Sequence, residues 1–179
     1  MKNTFVAGIH AVGKSYLCTQ AASTGDWLHS SASALIKQEL GSANWDSAKL
    51  VDDPNINQKA LIAAVSRING DGRKLLLDGH FVLRNAKDEF VFLGADVFAD
   101  LNLDGVILVE APASLVAERL QQRDGVIRRE SDIQAFLDAE RRQAESVCSA
   151  LGLKLTILEA PDQIAFSSAI AGSGSQAAS

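Results

Sequence analysis

The sequence predicts an α/β fold in three layers, a five-stranded parallel sheet with helices on both faces, and three observations carry that prediction. Short runs that are apolar almost throughout recur at residues 4–7, 74–77, 105–109 and 154–158, the pattern of strands buried on both faces. Segments with apolar residues at helical spacing separate them, and such alternation implies a parallel sheet with right-handed crossovers. The third observation is Gly8-Ile9-His10-Ala11-Val12-Gly13-Lys14-Ser15. It matches GxxxxGK[ST] with a strand before it and a helix after it, the phosphate-binding loop also called Walker A.

Taken in order, residues 2–7 form the first strand and residues 15–22 the helix behind the loop. Residues 26–29 form a second short strand, and Ser31-Ala32-Ser33 starts a helix that ends at Gly41. Residues 42–57 are polar and read as a loop. Residues 56–68 return to helical spacing, with Leu61, Val65 and Ile68 on one face and Asn69-Gly70-Asp71-Gly72 as the stop. The strand at 74–77 delivers Asp78-Gly79-His80 at its carboxyl end, where parallel sheets present polar groups. Residues 88–101 read as a helix broken near Gly94. The strand at 105–109 ends at Glu110, Pro112 suits the first turn of a helix running to Arg123, and Asp124-Gly125 stops it. Ser131-Asp132-Ile133-Gln134 reads as a capping box opening a long helix that buries Ile133, Phe136, Leu137, Ala144, Val147, Cys148 and Leu151. Gly152 closes it, residues 154–158 form the last strand, and Pro161 opens the last helix. The expected organisation is one domain over residues 1–171, a short lid near 119–131 and a disordered tail at 172–179.

Composition fits this picture. A chain of 179 residues with 47% hydrophobic and 22% charged residues can bury one core without disulfides. Net charge of −5 and a pI near 5.1 disfavour broad binding to nucleic acid. The 2 cysteines, Cys18 and Cys148, lie in helices without metal-ligand spacing, which suits a reduced compartment. No apolar stretch is long enough to span a bilayer, so a cytoplasmic protein is expected.

The loop names a ligand type and leaves the reaction open. Its backbone N–H groups at residues 8–13 would wrap phosphates at a helix N-terminus, Lys14 would reach them as a solvent-facing charge, and Ser15 would offer its hydroxyl to Mg²⁺. Asp78 is the carboxylate candidate for the same metal, and His80 stands where an acceptor or attacking water would lie. No Asn-Lys-x-Asp base reader of a GTPase occurs. AAA and RecA-like ring ATPases are disfavoured by the length. A small kinase needs a donor loop, a metal carboxylate, an acceptor pocket and lid arginines, and each has candidates here.

The loop at Gly8 to Ser15, the strand end Leu75-Leu76-Leu77-Asp78-Gly79-His80 and Glu118-Arg119-Leu120-Gln121-Gln122-Arg123 together resemble the adenylate kinase branch of the nucleoside monophosphate kinases, nearest its compact archaeal and eukaryotic nuclear members. The acidic run Leu50-Val51-Asp52-Asp53 before a helix is similar as well. The resemblance implies a three-layer P-loop NTPase fold, ATP and Mg²⁺ as cofactors, and a nucleoside monophosphate as acceptor. It places His10, Ala11, Val12 and Tyr16 along the donor loop, Arg119 against the adenine and Arg123 on the phosphates, with Asp52, Gln58, His80, Arg84 and Arg128 at the acceptor. This sequence departs from the family at Ala11, where glycine is usual, and at Val82, where an arginine is usual, with Arg84 further on. It also has no four-cysteine zinc lid. Two other readings stay open: a regulatory ATP-binding protein with slow hydrolysis that acts on a protein or RNA partner, and a kinase of a nucleoside or other small molecule.

Overall fold

The computed structural model describes residues 2–41 and 54–173. Its main sheet has five parallel strands in the order β2-β3-β1-β6-β7. In chain terms these are β1 (Asn3–Ala7), β2 (Trp27–Ser31), β3 (Lys74–Gly79), β6 (Leu103–Glu110) and β7 (Lys154–Glu159). The helices are α1 (Lys14–Thr24), α2 (Ala32–Leu40), α3 (Pro54–Gly70), α4 (Asp96–Ala99), α5 (Ala113–Asp124), α6 (Glu130–Leu151) and α7 (Gln163–Ser173). The three-layer α/β expectation holds, and its physical basis is the two-residue period of the strands. Phe5, Ala7, Leu75, Leu77, Val106 and Leu108 face one core with α2 and α3. Val6, Leu76, Ile107 and Val109 face the other with α1, α5 and α7. The long helix α6 contributes to both: Ile133, Phe136 and Leu137 join the second core and Ala144, Val147 and Cys148 the first.

Polar anchors fix the register at the amino end of the sheet. The buried Asn3 side chain donates to the Leu101 carbonyl at 2.9 Å and accepts from the Leu75 N–H at 3.1 Å. It also exchanges bonds of 2.9 and 2.8 Å with Asn69 at the end of α3. Helix caps follow local chemistry. Ser31 accepts from the Ala34 N–H at 3.1 Å to start α2, Asp162 accepts from the Ala165 N–H at 2.8 Å ahead of α7, and Gly152 ends α6 in the left-handed region at φ 64°.

Several expectations need correction. Residues 88–101 do not form a broken helix. They belong to a hairpin, β4 (Val82–Arg84) antiparallel to β5 (Phe90–Phe92), followed by the four-residue α4. Asp88 has φ 63°, which a helix cannot accommodate, and Asn85 Oδ1 closes the turn by accepting from Lys87 and Glu89 N–H groups, both at 2.9 Å. The capping box at Ser131 is not made, because α6 begins at Glu130 with Arg129 as its N-cap and no side-chain capping bond. Pro112 is the N-cap of α5, one residue before the helix. Helix α3 starts at Pro54, so the loop expected over 42–57 ends earlier. Gly172 and Ser173, assigned to a disordered tail, complete α7, and the buried Ser173 hydroxyl lies 3.2 Å from that of Thr4. Among the described residues no helix is long and apolar enough to cross a membrane.

Because Asn3 satisfies buried backbone groups on two neighbouring segments, Asn3→Ala should destabilise the fold by about 2 to 4 kcal/mol. Urea denaturation reads this directly. A loss under about 0.5 kcal/mol would show that water replaces the side chain at no cost.

Candidate nucleotide and acceptor site

The site forms at the carboxyl edge of the sheet, where β1 and β3 run side by side with Val6 opposite Asp78 and Ala7 opposite Gly79. The chain leaves β1 at Gly8, whose φ is 147°, and a Cβ there would run into the Val109 carbonyl. Only glycine passes. The loop then passes through Ala11 at φ 66°, a left-handed residue where the resemblance leads one to expect glycine, at a strain cost on the order of 1 kcal/mol. Gly13, at φ 105°, is the N-cap of α1 and offers no side-chain capping bond. The first N–H groups of α1 therefore point toward the loop without a side-chain cap, the arrangement that binds anions.

Lys14 is not solvent-facing, contrary to expectation. It is only 6% exposed, donates to the Ile9 carbonyl at 3.3 Å and lies 3.8 Å from Asp78 Oδ1. Burial holds its pKa below the ordinary lysine value against the pull of Asp78 and Glu140. Asp78, 4% exposed, accepts from the Ser15 hydroxyl at 2.5 Å and sits 3.4 Å from His29 Nε2. Burial alone would raise its carboxyl, but the hydrogen bonds with His29 and Ser15 and the Lys14 charge bring it below the usual range.

These residues fit Mg²⁺. A hydroxyl and an ionised carboxylate meet at one point, and such ions take one or two carboxylates and complete their shell with phosphate oxygens and water. Among the described residues no group of three His, Cys, Asp or Glu gathers elsewhere as a metal cluster.

Two cavities flank this centre. The first, about 550 Å³, is lined by His10, Ala11, Gly13, Lys14, Ser15, Tyr16, Arg119, Gln122 and Arg123. Its size and its cationic, loop-backed wall suit a triphosphate. Tyr16 is 69% exposed there. Arg119, expected against a base, instead donates through Nη1 to the Ala11 and Val12 carbonyls, both at 3.1 Å, and so braces the loop from α5. Arg123 stands at the rim and pairs with Asp124 at 2.6 Å.

The second cavity, about 210 Å³, lies across Asp78 between α2, α3 and the hairpin. Its floor rests on a cluster of three rings: Phe5 is 5.2 Å from Phe81 and from Phe98, and those two are 4.7 Å apart. Gly79 makes room for Phe5, because a Cβ would stand 2.8 Å from Phe5 Cε2. His80 lines this cavity and packs 4.5 Å from the His10 ring. Burial, Lys14 and His10 hold its pKa well below the ordinary value, so it is neutral, and its buried Nδ1 has no hydrogen-bond partner. Gln58 also lines the cavity and donates to the Asp96 carbonyl at 2.8 Å.

The structure thus brings together Gly8 through Tyr16, Asp78, His80, Arg119 and Arg123, with Gln58 in the adjoining cavity. Arg84 and Arg128, expected at the acceptor, are elsewhere. Both grip Asp88 on the hairpin turn, at 2.8 and 2.9 Å, and Arg84 also stacks on Phe90 and Phe136, 4.7 and 4.9 Å from their centroids. Arg128 thereby ties the hairpin to the connector between α5 and α6. Asp52, like Asp53, lies outside the described residues.

Two residues were missed by the sequence reading. His29 contacts Asp78 and, through Nδ1 at 3.2 Å, Thr19. Glu140, 1% exposed, accepts from the Phe81 and Val82 N–H groups, the shortest of these bonds being 2.7 Å, and so clamps the turn that carries His80. Its signal was present: a lone carboxylate in the apolar stripe Ile133, Phe136, Leu137, Ala144, Val147.

Burial pushes Glu140 up from an ordinary 4.5 to about 7, against those two backbone donors and Lys14. A carboxyl whose folded pKa lies above its unfolded one stabilises the fold most below the unfolded value and loses that contribution as pH rises through the folded one. Between about pH 5 and about pH 8 the wild type should therefore lose stability relative to Glu140→Gln, measured as urea midpoints of both proteins at each pH. A difference that stays flat would show that the backbone donors keep Glu140 ionised throughout.

A family model described as an AAA domain matches residues 7–136. Among solved structures, an unliganded sugar kinase from a Janibacter species is similar at a TM-score of 0.58 and 13% identity, over 96% of this chain and 93% of that one. A gluconokinase from Sinorhizobium meliloti is similar at 0.57 and 16% identity, over 97% of this chain and 91% of that one. Among curated proteins none matches the sequence. At these identities the structural likeness is one of fold.

Proposed function

Since the chain belongs to the AAA domain family, we propose that it is a P-loop kinase, moving the γ-phosphoryl group of ATP to a hydroxyl of a small molecule. The match spans residues 7–136, so length does not set this chain apart from AAA domains as the sequence reading supposed. The observation that carries the kinase reading is the second cavity. A pure ATPase needs only water beyond the phosphates, whereas here Asp78 belongs both to the Lys14–Ser15 centre and to the wall of a separate chamber. The solved sugar kinase and gluconokinase with this fold support a small-molecule acceptor.

In this reading the uncapped N–H groups of α1 and the loop hold the donor phosphates, and Lys14, kept charged by Asp78, crosses from the loop to them. Ser15 and Asp78 would hold Mg²⁺, which when bound neutralises charge on the β- and γ-phosphate oxygens. His29 orients the Asp78 carboxylate, Arg119 keeps the loop in shape, and Glu140 fixes His80 beside the acceptor. Arg123 closes over the transfer from a short lid near 119–131, of which residues 119–124 are already helical in α5. The resemblance to adenylate kinases makes a nucleoside monophosphate the finer alternative for the acceptor, and the regulatory ATPase is the remaining one.

Incubation with Mg·ATP and individual acceptors, followed by chromatography, separates the readings. A phosphorylated acceptor formed in step with ADP supports the kinase, and ADP and free phosphate released at a rate no acceptor changes would sink it. Lys14→Met, which keeps the buried stem, should lower turnover by about a hundredfold or more, with a lower thermal midpoint because Asp78 loses its buried counter-charge. Arg123→Ala should lower kcat by a factor on the order of a hundred with little change in the KM for ATP. A kcat within about threefold of the parent would remove Arg123 from the transfer step.

A further inference from the structure

The second cavity combines features that narrow what can occupy it. Its wall carries no lysine or arginine among the described residues. Arg84 and Arg128, the two arginines expected at the acceptor, pair with Asp88 on the hairpin. The charge nearest the cavity is negative, that of Asp78. A phosphate or carboxylate on the acceptor's body would be desolvated against the apolar lining, where no described residue offers a cation.

Most of the lining is apolar, with Leu61, Leu83, Val91, Leu93, Val97 and Phe98 around one end. The polar groups are themselves employed: Ser31 caps α2 and meets the Ser33 hydroxyl at 3.2 Å, and Gln58 holds the Asp96 carbonyl. His80 is different, because it lines the cavity and its buried Nδ1 has no hydrogen-bond partner. A cavity of about 150 Å³ suffices for benzene, so one of about 210 Å³ holds a single ring with a short arm.

Resting on the kinase reading, we propose that the acceptor is an uncharged hydroxyl compound with a compact apolar body, its hydroxyl placed between Asp78 and His80 and its body against Leu61, Val97 and Phe98. Nucleoside monophosphates and sugar acids fall outside this class. In the transfer, the acceptor oxygen forms the new bond to the γ-phosphorus as the bond from that phosphorus to the β,γ-bridging oxygen breaks. ADP leaves with that electron pair, and the hydroxyl proton is released to solvent. The Glu140 clamp on Phe81 and Val82 fixes the turn on which His80 borders the chamber.

The test is a binding comparison by ligand-observed NMR, with Mg²⁺ and a non-hydrolysable ATP analogue present, using 2-phenylethanol, gluconate and AMP as probes. The expected result is that 2-phenylethanol binds at least about tenfold tighter than either anion, and that Val97→Phe, which fills the chamber, weakens it by at least about tenfold while leaving the ATP analogue's affinity unchanged. Should Val97→Phe fail to fold, Val91→Leu on the same wall takes its place. Tighter binding of gluconate or AMP, no binding of 2-phenylethanol, or indifference to the filled chamber would overturn the inference. Parallel incubations with Mg·ATP keep it separate from the reading beneath it. A phosphoester on gluconate or AMP upholds the kinase and overturns the inference, whereas 2-phenylethanol bound in the chamber with no phosphoester on any probe overturns the kinase alone.

Discussion

The buried carboxylate of Asp78 is the constraint on which the rest of the site depends. An ionised group this deep is tolerated only when its oxygens are occupied, and here Ser15, Lys14 and His29 occupy them. That requirement draws the start of α1, the end of β3 and the middle of β2 to one point. The same requirement accounts for Lys14 lying folded over the loop. Its ammonium lies against the Asp78 carboxylate. A group with a depressed folded pKa, as Asp78 is, stabilises the fold above its unfolded value and loses that contribution as pH falls.

Around that point the fold separates two environments. On one side the loop backbone, Lys14, Arg119 and Arg123 make a cationic, open chamber. On the other a ring cluster, α3 and the hairpin enclose a smaller and largely apolar one. The hairpin is held over it by Arg128, which reaches Asp88 from the connector between α5 and α6. Glu140 works from the opposite direction, since one helix residue anchors the turn on which His80 sits.

The five strands, the donor loop and the faces of α3 and α6 were legible because each is written in local periodicity or in a motif with its own backbone demands, such as Gly8 beneath Val109. The hairpin was not, because residues 88–101 carry enough helical spacing to mislead and the left-handed Asp88 is stabilised by arginines 4 and 40 positions away. Ser131 offered a capping box that the chain does not use. The burial of Lys14 depends on Asp78, 64 positions along, and motif knowledge alone suggests an exposed charge there. Arg119 was placed in the right chamber, but its partners are loop carbonyls that sequence spacing does not reveal. Glu140 was visible as an interruption of an apolar stripe, a feature worth reading as a buried acceptor with backbone donors to satisfy.

The central claim is that Asp78 acts on the nucleotide through a metal ion held with Ser15, and calorimetric titration of Asp78→Asn with ATP, in the presence and absence of Mg²⁺, tests it most directly. The account predicts that the variant loses about tenfold or more of its affinity for Mg·ATP while metal-free ATP binds as well as before or better, since a negative charge near the phosphates has been removed. Equal losses with and without the metal would contradict it, and would make Asp78 a prop for the loop in place of a ligand to the ion.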